Sequence, residues 1–191
     1  ATWLDGAGYT TGLFGKYLNG WGGRTVPPGW DAFRSFTKMK YYDYTLKGIG
    51  PAVTYGSSPA DYSTDVIANL AVNFVQSDEP VFAYIAPYAP HQPATPAPRH
   101  DGTWPLVPAS EVPAFNEADV SDKPAWAQRA KVSASTQRNL LTNQHAALMA
   151  VDEMVARLVN ALAGEDTIFV YLSDNGLMNG SHRFYGKDVP Y

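Results

Sequence analysis

Two stretches of the chain carry apolar residues at the spacing of an amphipathic helix. In residues 61–77 the apolar positions fall on one helical face, and Ser58 or Asp61 stands where an N-cap is expected. Residues 136–163 show the same period over a longer span and end before Gly164, a residue type that favours helix termination. The pattern therefore predicts two helices, of which the second is the longer.

Three shorter stretches are typical of β-strands. Residues 81–86 and 167–172 are almost continuously apolar, which favours strands buried on both faces, as in a parallel sheet. Residues 11–16 form a third candidate, with Leu13 and Phe14 as its core positions. Strands that alternate with helices predict an α/β fold around a mostly parallel sheet.

The remaining segments are long and rich in proline, glycine and aromatic residues. Residues 20–59 and 86–136 show no clear period, so we expect irregular loops there, and loops of this length are usually functional or disordered. Their aromatic content argues against disorder. No repeat or linker divides the 191 residues, which suffice for one domain or a large part of one.

Composition argues against a nucleic-acid partner, a membrane span and cysteine chemistry in these residues. The net charge is −4 and no basic stripe is present, which argues against a nucleic-acid partner. No apolar run approaches the roughly 20 residues of a membrane helix, so no membrane span is expected. The chain has no cysteine, so these residues form no disulfide and supply no thiolate.

Polar residues follow each of the three predicted strands. Lys16 closes the first, His91 comes five residues after the second, and Asp174 and Asn175 follow the third, with Lys187 a little further on. Ligands of open α/β sheets gather outside the carboxyl ends of the strands, so we expect these side chains to meet at one rim.

Each of these polar residues, taken singly, has an ordinary structural explanation. A lysine can be solvated, a loop histidine can be packed, and Asp-Asn-Gly is a common turn. Together they form a chemical set, because carboxylate and amide oxygens suit calcium or magnesium, lysines hold an oxyanion and histidine protonates a leaving group. This set suits metal-assisted hydrolysis of a sulfate or phosphate ester.

Three motifs, in order along the chain, resemble the sulfatase family. They are GYTTGLFGKYLNGW (residues 8–21), APYAPHQP (residues 86–93) and SDNGLMNGSHRFYGKDVPY (residues 173–191). Spacers such as VPPGWDAF and YYDYTL are similar to the N-acetylglucosamine-6-sulfatase and arylsulfatase branch. The resemblance covers essentially the whole chain, and it implies an alkaline-phosphatase-like three-layer α/β sandwich with a mostly parallel sheet.

The resemblance also implies a cofactor and a modified residue. The family binds one calcium ion and uses a formylglycine nucleophile, made from cysteine or serine in a C/S-x-P-x-R motif by a formylglycine-generating or sulfatase-maturing enzyme. The chain lacks this motif and begins with Ala1 rather than Met. We therefore expect residues 1–191 to be the central part of a single sulfatase catalytic domain, truncated at both ends and inactive alone, from a secreted, periplasmic or lysosomal parent.

Family roles transfer to five residues of this chain. The resemblance implies that Asp174 and Asn175 are calcium ligands. It implies that Lys16 contacts the formylglycine diol and the sulfate, and that Lys187 binds a sulfate oxygen. His91 would bind sulfate or protonate the leaving alcohol.

Three further residues have roles that the resemblance leaves open. Many sulfatases have a histidine two residues after the first lysine, where this chain has Leu18, followed by Asn19 as a substitute contact. His182 and Arg183 either touch substrate or are structural. The aromatic residues of the 20–59 segment, such as Trp21 and Tyr42, either stack on sugar rings or pack the loop.

Three functions remain open at this point. The resemblance implies hydrolysis of a sulfated carbohydrate, such as a 6-O-sulfated N-acetylglucosamine unit, or of an aryl sulfate. A phosphatase or phosphodiesterase of the same superfold would release phosphate instead. A non-catalytic relative would bind glycans without turnover.

Overall fold

The computed structural model describes residues 1–77, 79–108 and 111–187 of the chain. The helices are α1 (Thr2–Asp5), α2 (Ser63–Val75) and α3 (Ala134–Ala161), with 3₁₀ turns at Pro59–Asp61, Pro98–His100 and Ala125–Ala127. The strands are β1 (Thr10–Gly15), β2 (Ala32–Phe36), β3 (Tyr44–Gly48), β4 (Val53–Tyr55), β5 (Val81–Ala86), β6 (Met178–Asn179) and β7 (Tyr185–Gly186). Both predicted long helices are confirmed within two residues at each end, and residues 188–191 of the third motif lie outside the described residues.

Five strands form one mixed sheet in the order β4-β3-β2-β1-β5. β1 pairs in parallel with β2 and with β5, whereas β2-β3 and β3-β4 are antiparallel. The predicted α/β class is confirmed. The expectation of a wholly irregular 20–59 segment is wrong, because β2, β3 and β4 lie within it; at three to five residues each, they are too short for a period to show.

The two faces of the sheet are covered differently in the described residues. Leu13 and Phe14 are adjacent in β1 and therefore point to opposite faces. Phe14 belongs to the core that includes α2, and α3 packs on the outer side of α2. Leu13 packs with Trp21 and Phe33 beneath the loop that follows β1, so Trp21 is a core residue.

One predicted strand does not form. Residues 167–172 pair with no strand, and Ile168 is 89% exposed. Strand β5 carries β1 on one side, and within the described residues its other edge is unpaired, which leaves Tyr84 48% exposed. An apolar run becomes a strand only where a neighbour accepts its backbone hydrogen bonds, and residues 167–172 lack one here.

An ionic cluster joins the loop after β5 to both long helices. The Arg99 guanidinium donates to both carboxylate oxygens of Asp65 in α2, at 2.7 and 2.8 Å. Its Nε donates to Glu153 Oε2 in α3 at 2.8 Å. The hydrogen bond from Arg99 holds the pKa of Glu153 below its usual range. This cluster therefore supports the α2-α3 packing from the solvent side.

The longest helix, α3, has 28 residues and two chemically distinct sides. Its buried positions, such as Ala147 and Met154, belong to the core that it shares with α2, whereas charged residues such as Arg157 lie outside. Nowhere in the described ranges does a helix combine the length and apolar content needed to cross a bilayer.

Candidate active site

Backbone pairing fixes Lys16 at the carboxyl edge of the sheet. Gly15 ends β1 with φ +111°, and a Cβ there would lie 2.0 Å from the carbonyl oxygen of Ala86. The amide nitrogen of Lys16 donates to that same oxygen at 2.7 Å. Glycine is therefore required before Lys16, because only glycine lets β1 and β5 stay this close while the chain turns into the site.

Each of the two lysines lies at one member of the Asp-Asn pair. Lys16 Nζ contacts the Asp174 carboxylate in a direct ion pair. Lys187 Nζ lies 3.4 Å from Asn175 Oδ1. The hydrogen bond from Lys16, with a further contribution from the charge of Lys187, lowers the pKa of Asp174. Asp174 is therefore ionised at neutral pH, between two cations.

His91 is held by its backbone and by a neighbouring ring. Tyr41 Oη donates to the His91 carbonyl oxygen at 2.6 Å, and the Tyr88 ring stacks on the imidazole at 4.9 Å between centroids. His91 Nδ1 lies 2.8 Å from the Gln92 carbonyl oxygen. A carbonyl only accepts, so Nδ1 carries a proton and Nε2 is the end available to a ligand.

A direct contact joins the His91 loop to the Lys187 segment. The Gln92 amide Nε2 donates to the Tyr185 hydroxyl, and Tyr185 lies in β7, two residues before Lys187. Lys16 is tied to Asp174, and the His91 loop is tied to β7. Contacts between side chains thus link all three predicted motifs.

His182 and Arg183 lie away from these contacts and anchor the β6-β7 hairpin. His182 Nδ1 is 2.8 Å from Glu117 Oε2. The Arg183 guanidinium donates to three backbone carbonyls, those of Glu117, Ala118 and Arg129, at 2.9 to 3.1 Å. Of the two roles open for this pair, these contacts favour the structural one.

Leu18 and Asn19 lie in the exposed turn after Lys16. Leu18 is 66% exposed, and Asn19 is also exposed. In residues 1–77, 79–108 and 111–187, no hydrogen bond links the Asn19 side chain to another residue of the site. The structure therefore does not bring Asn19 to the lysines, and its role as a substitute contact stays a prediction.

Sequence reasoning missed the residues that support the site. Gln137 in α3 is fully buried and donates to Asn179 Oδ1 in β6 at 2.9 Å. Phe115 forms an isolated bridge with Ser181, and Glu117 pairs with Lys123 as well as His182. None of these residues stands in a chemical motif, and their partners are 42 to 66 residues away or separated by loops, so no local signal marks them.

The donor set fits a hard cation only in part. Asp174 and Asn175 offer a carboxylate and an amide oxygen, which are ligands that calcium accepts. Calcium takes six to eight oxygens in general, and the described residues contain no group of three or more His, Asp or Glu side chains arranged to hold a metal. This chain alone therefore supplies part of a calcium site.

Comparison with known proteins decides the family. Residues 1–190 match one family profile, described as Sulfatase. This chain belongs to the sulfatase family. It is 34% identical over 209 residues to the extracellular sulfatase SULF-1 homolog of Drosophila melanogaster, covering 100% of this chain and 19% of that protein. It is 35% identical over 193 residues to the human N-acetylglucosamine-6-sulfatase, covering 91% of this chain and 35% of that enzyme.

A solved structure shares the fold of this sulfatase chain. The structure of BT4656 in complex with its substrate D-glucosamine-2-N,6-O-disulfate matches with a TM-score of 0.70 and 22% identity. The match covers 96% of this chain and 51% of BT4656. The sulfatase chain thus spans about a fifth to a third of these two curated relatives and half of this structural neighbour.

Proposed function

We propose that the protein containing this chain hydrolyses the sulfate ester of a sulfated sugar, of the N-acetylglucosamine-6-sulfate type. The observation that carries this proposal is the pairing of Lys16 with Asp174 and of Lys187 with Asn175. It gathers two cations and two hard oxygen donors at one edge of the sheet. Residues 1–191 then form the central part of a single catalytic domain.

The lysines supply the charge that a sulfate group needs. Lys16 Nζ contacts Asp174 and Lys187 Nζ lies 3.4 Å from Asn175 Oδ1, so an oxyanion bound beside this pair meets two ammonium groups. Positioned cations stabilise charge that develops on oxygen during ester cleavage. Lys16 is the better fixed of the two, because its own amide is bound to the Ala86 carbonyl.

His91 has the hydrogen-bonding state of a proton donor. With Nδ1–H directed to the Gln92 carbonyl, protonation at Nε2 gives an imidazolium that can deliver a proton to the leaving alcohol oxygen. Stacking on Tyr88 and the bond from Tyr41 hold the ring and its backbone in place. General acid catalysis of this kind typically contributes about 10²- to 10⁴-fold in rate.

Asp174 and Asn175 would hold calcium together with residues outside this chain. Calcium, when bound, would neutralise charge on the sulfate oxygens, and a formylglycine outside this chain would supply the nucleophile. Asp174 suits the metal because its pKa is lowered and its carboxylate is ionised at neutral pH. Lys16 then orients that carboxylate at the rim.

The substrate class rests on the named relatives. One is named an extracellular sulfatase, one an N-acetylglucosamine-6-sulfatase, and BT4656 was solved with a glucosamine disulfate. These names support a sulfated amino sugar as substrate and a site of action outside the cytoplasm.

The test compares two esters of the same sugar that carry sulfur or phosphorus as the central atom of the ester group. The full-length protein is incubated with N-acetylglucosamine-6-sulfate and with N-acetylglucosamine-6-phosphate, and inorganic sulfate and phosphate are measured by ion chromatography. We expect sulfate release, and a His91→Ala variant at least tenfold slower. Phosphate release in place of sulfate would support the phosphatase alternative, and binding without release of either would support the glycan-binding one.

A further inference from the structure

A concave surface next to His91 is lined by tyrosines and two charged residues. We call it the tyrosine groove and define it by Lys40, Tyr41, Tyr42, Asp43, Tyr88 and Pro93. Its volume is about 280 Å³, near the lower limit of roughly 300 Å³ for small-molecule sites. The groove is therefore the size of one ring, not of an extended chain.

The walls of the groove combine apolar faces with polar tips. Tyr42 and Tyr88 are half-buried and present part of their aromatic surface, which packs well against the C–H face of a sugar ring, while Tyr41 lies buried beneath them. Lys40 offers only donors and Asp43 only acceptors. Within the described residues neither side chain forms an ion pair or a hydrogen bond, so both have polar atoms available for a ligand.

Asp43 is held in place at a conformational cost. Its φ is +50°, a region that few non-glycine residues adopt, and its amide donates to the Gly56 carbonyl oxygen at 3.0 Å. The neighbouring tyrosines are fixed by packing, because Tyr41 and Tyr42 both contact the ring of Tyr62 in the core. The groove is thus preformed.

The tyrosine groove shares two of its walls with the candidate active site. Tyr41 donates its hydroxyl to the His91 carbonyl, and the Tyr88 ring stacks on the His91 imidazole. A molecule in the groove therefore lies one aromatic ring away from the proposed proton donor.

We propose that the tyrosine groove binds an uncharged pyranose ring, the sugar unit next to the sulfated one in a glycan substrate. Lys40 donates to its hydroxyls, Asp43 accepts from them, and the exposed parts of Tyr42 and Tyr88 cover its apolar face. Sugar hydroxyls both donate and accept, which matches this pair of opposite charges better than an acidic group would, because Asp43 would repel an anion. This inference rests on the proposed function for its position relative to the sulfate.

The test measures selectivity in the full-length protein. We compare kcat/KM for a 6-O-sulfated N-acetylglucosamine monosaccharide with that for a disaccharide carrying the same sulfated unit and one uncharged neighbour. In Lys40→Ala/Asp43→Ala we expect the disaccharide-to-monosaccharide ratio to fall about tenfold, the size expected for losing hydrogen bonds to both hydroxyl partners. Lys38→Ala, which removes an exposed lysine outside the groove, should leave the ratio unchanged.

A second measurement separates this inference from the proposed function. Saturation-transfer NMR with the unsulfated disaccharide should show contact in the wild type and in Lys38→Ala but not in the double variant. If the wild type releases no sulfate, the proposed function fails, and the NMR comparison alone decides the groove. An unchanged ratio with unchanged NMR contact would overturn the inference. If the double variant does not fold, Lys40→Gln and Asp43→Asn, which keep side-chain size, carry both measurements.

Discussion

The two halves of the candidate site are held by different forces. Lys16 and His91 are positioned through hydrogen bonds of their own backbone. The Lys16 amide donates to the Ala86 carbonyl, and the His91 carbonyl accepts from the Tyr41 hydroxyl. The segment with Asp174, Asn175 and Lys187 meets this half through side chains, Asp174 with Lys16 and Tyr185 with Gln92, and its preceding residues 167–172 pair with no strand. The Lys16-His91 half directly follows strands of the sheet, whereas the 173–187 half is joined to it by side-chain contacts.

The contacts that hold the 173–187 half differ in how much stability they contribute. The Lys16-Asp174 pair is 21% and 58% exposed, and ion pairs this accessible to solvent contribute about 0–1 kcal/mol. The pair alone therefore does not hold the second half in place. The β6-β7 hairpin does more, because Arg183 and Gln137 fasten it to the 111–132 loop and to α3. The predictions below test each support in turn.

The largest effect is expected at the sheet. Gly15→Ala places a methyl group within 2.0 Å of the Ala86 oxygen and adds the cost of φ +111°. We expect a loss of about 3–4 kcal/mol in the free energy of unfolding, measured by urea titration of the full-length protein. Gly164→Ala is the matched control: its φ is +95° and its Cβ would meet nothing within 4 Å, so about 1 kcal/mol is expected. Equal losses in both variants would show that the contact with Ala86 does not matter.

A smaller effect is expected at the hairpin anchor. Arg183→Ala leaves three backbone carbonyls without their charged donor, and we expect a stability loss of about 2 kcal/mol and a fall of about tenfold in sulfate release. Arg24→Ala, at an exposed arginine, should stay within about 0.5 kcal/mol of wild type. Full activity in Arg183→Ala would argue that Lys187 is positioned without the hairpin.

The smallest effect is expected at the ionic cluster of Arg99, Asp65 and Glu153, which joins the loop after β5 to α2 and α3. Because Arg99 lowers the pKa of Glu153 in the folded state, this carboxylate adds stability above about pH 4.5, and that stability is lost as the pH falls through the folded-state pKa. Glu153 is 44% exposed, so we expect only about 0.5 kcal/mol. Wild type and Glu153→Gln should differ by this amount at pH 7 and converge at pH 3 in chemical denaturation. A difference that persists at pH 3 would contradict this account.

The sequence predicted most of the helices and the edge where the site lies. Helical period and buried strands produced clear patterns in residues 61–77, 136–163 and 81–86. Lys16 and His91 follow strands that form, whereas Asp174 follows the predicted 167–172 strand, which does not form, and reaches Lys16 through a side-chain contact. These predictions depend on local pattern and on one topological rule. Local periodicity and the position of polar residues after predicted strands can both be identified from one sequence.

The errors arose where structure depends on distant partners. Residues 167–172 have a strong strand pattern but no partner within the described part of the chain, whereas β3 and β4 have weak patterns and form because β3 pairs with the edge of β2 and β4 pairs with β3. Glu117 and Gln137 were missed for the same reason, because their partners in the hairpin are 65 and 42 residues away in sequence. Pairing of this kind is decided by tertiary structure and leaves no local signal.

The most direct test of the central claim is the affinity of the full-length protein for inorganic sulfate, measured as competitive inhibition of ester hydrolysis. Lys187→Ala removes one of the two cations that flank the Asp174-Asn175 pair, whereas Lys131→Ala removes an exposed lysine elsewhere. We predict that Lys187→Ala weakens sulfate binding at least tenfold, about 1.4 kcal/mol, while Lys131→Ala binds as the wild type does. Equal affinity in the two variants would contradict the account, because Lys187 would then take no part in holding the oxyanion.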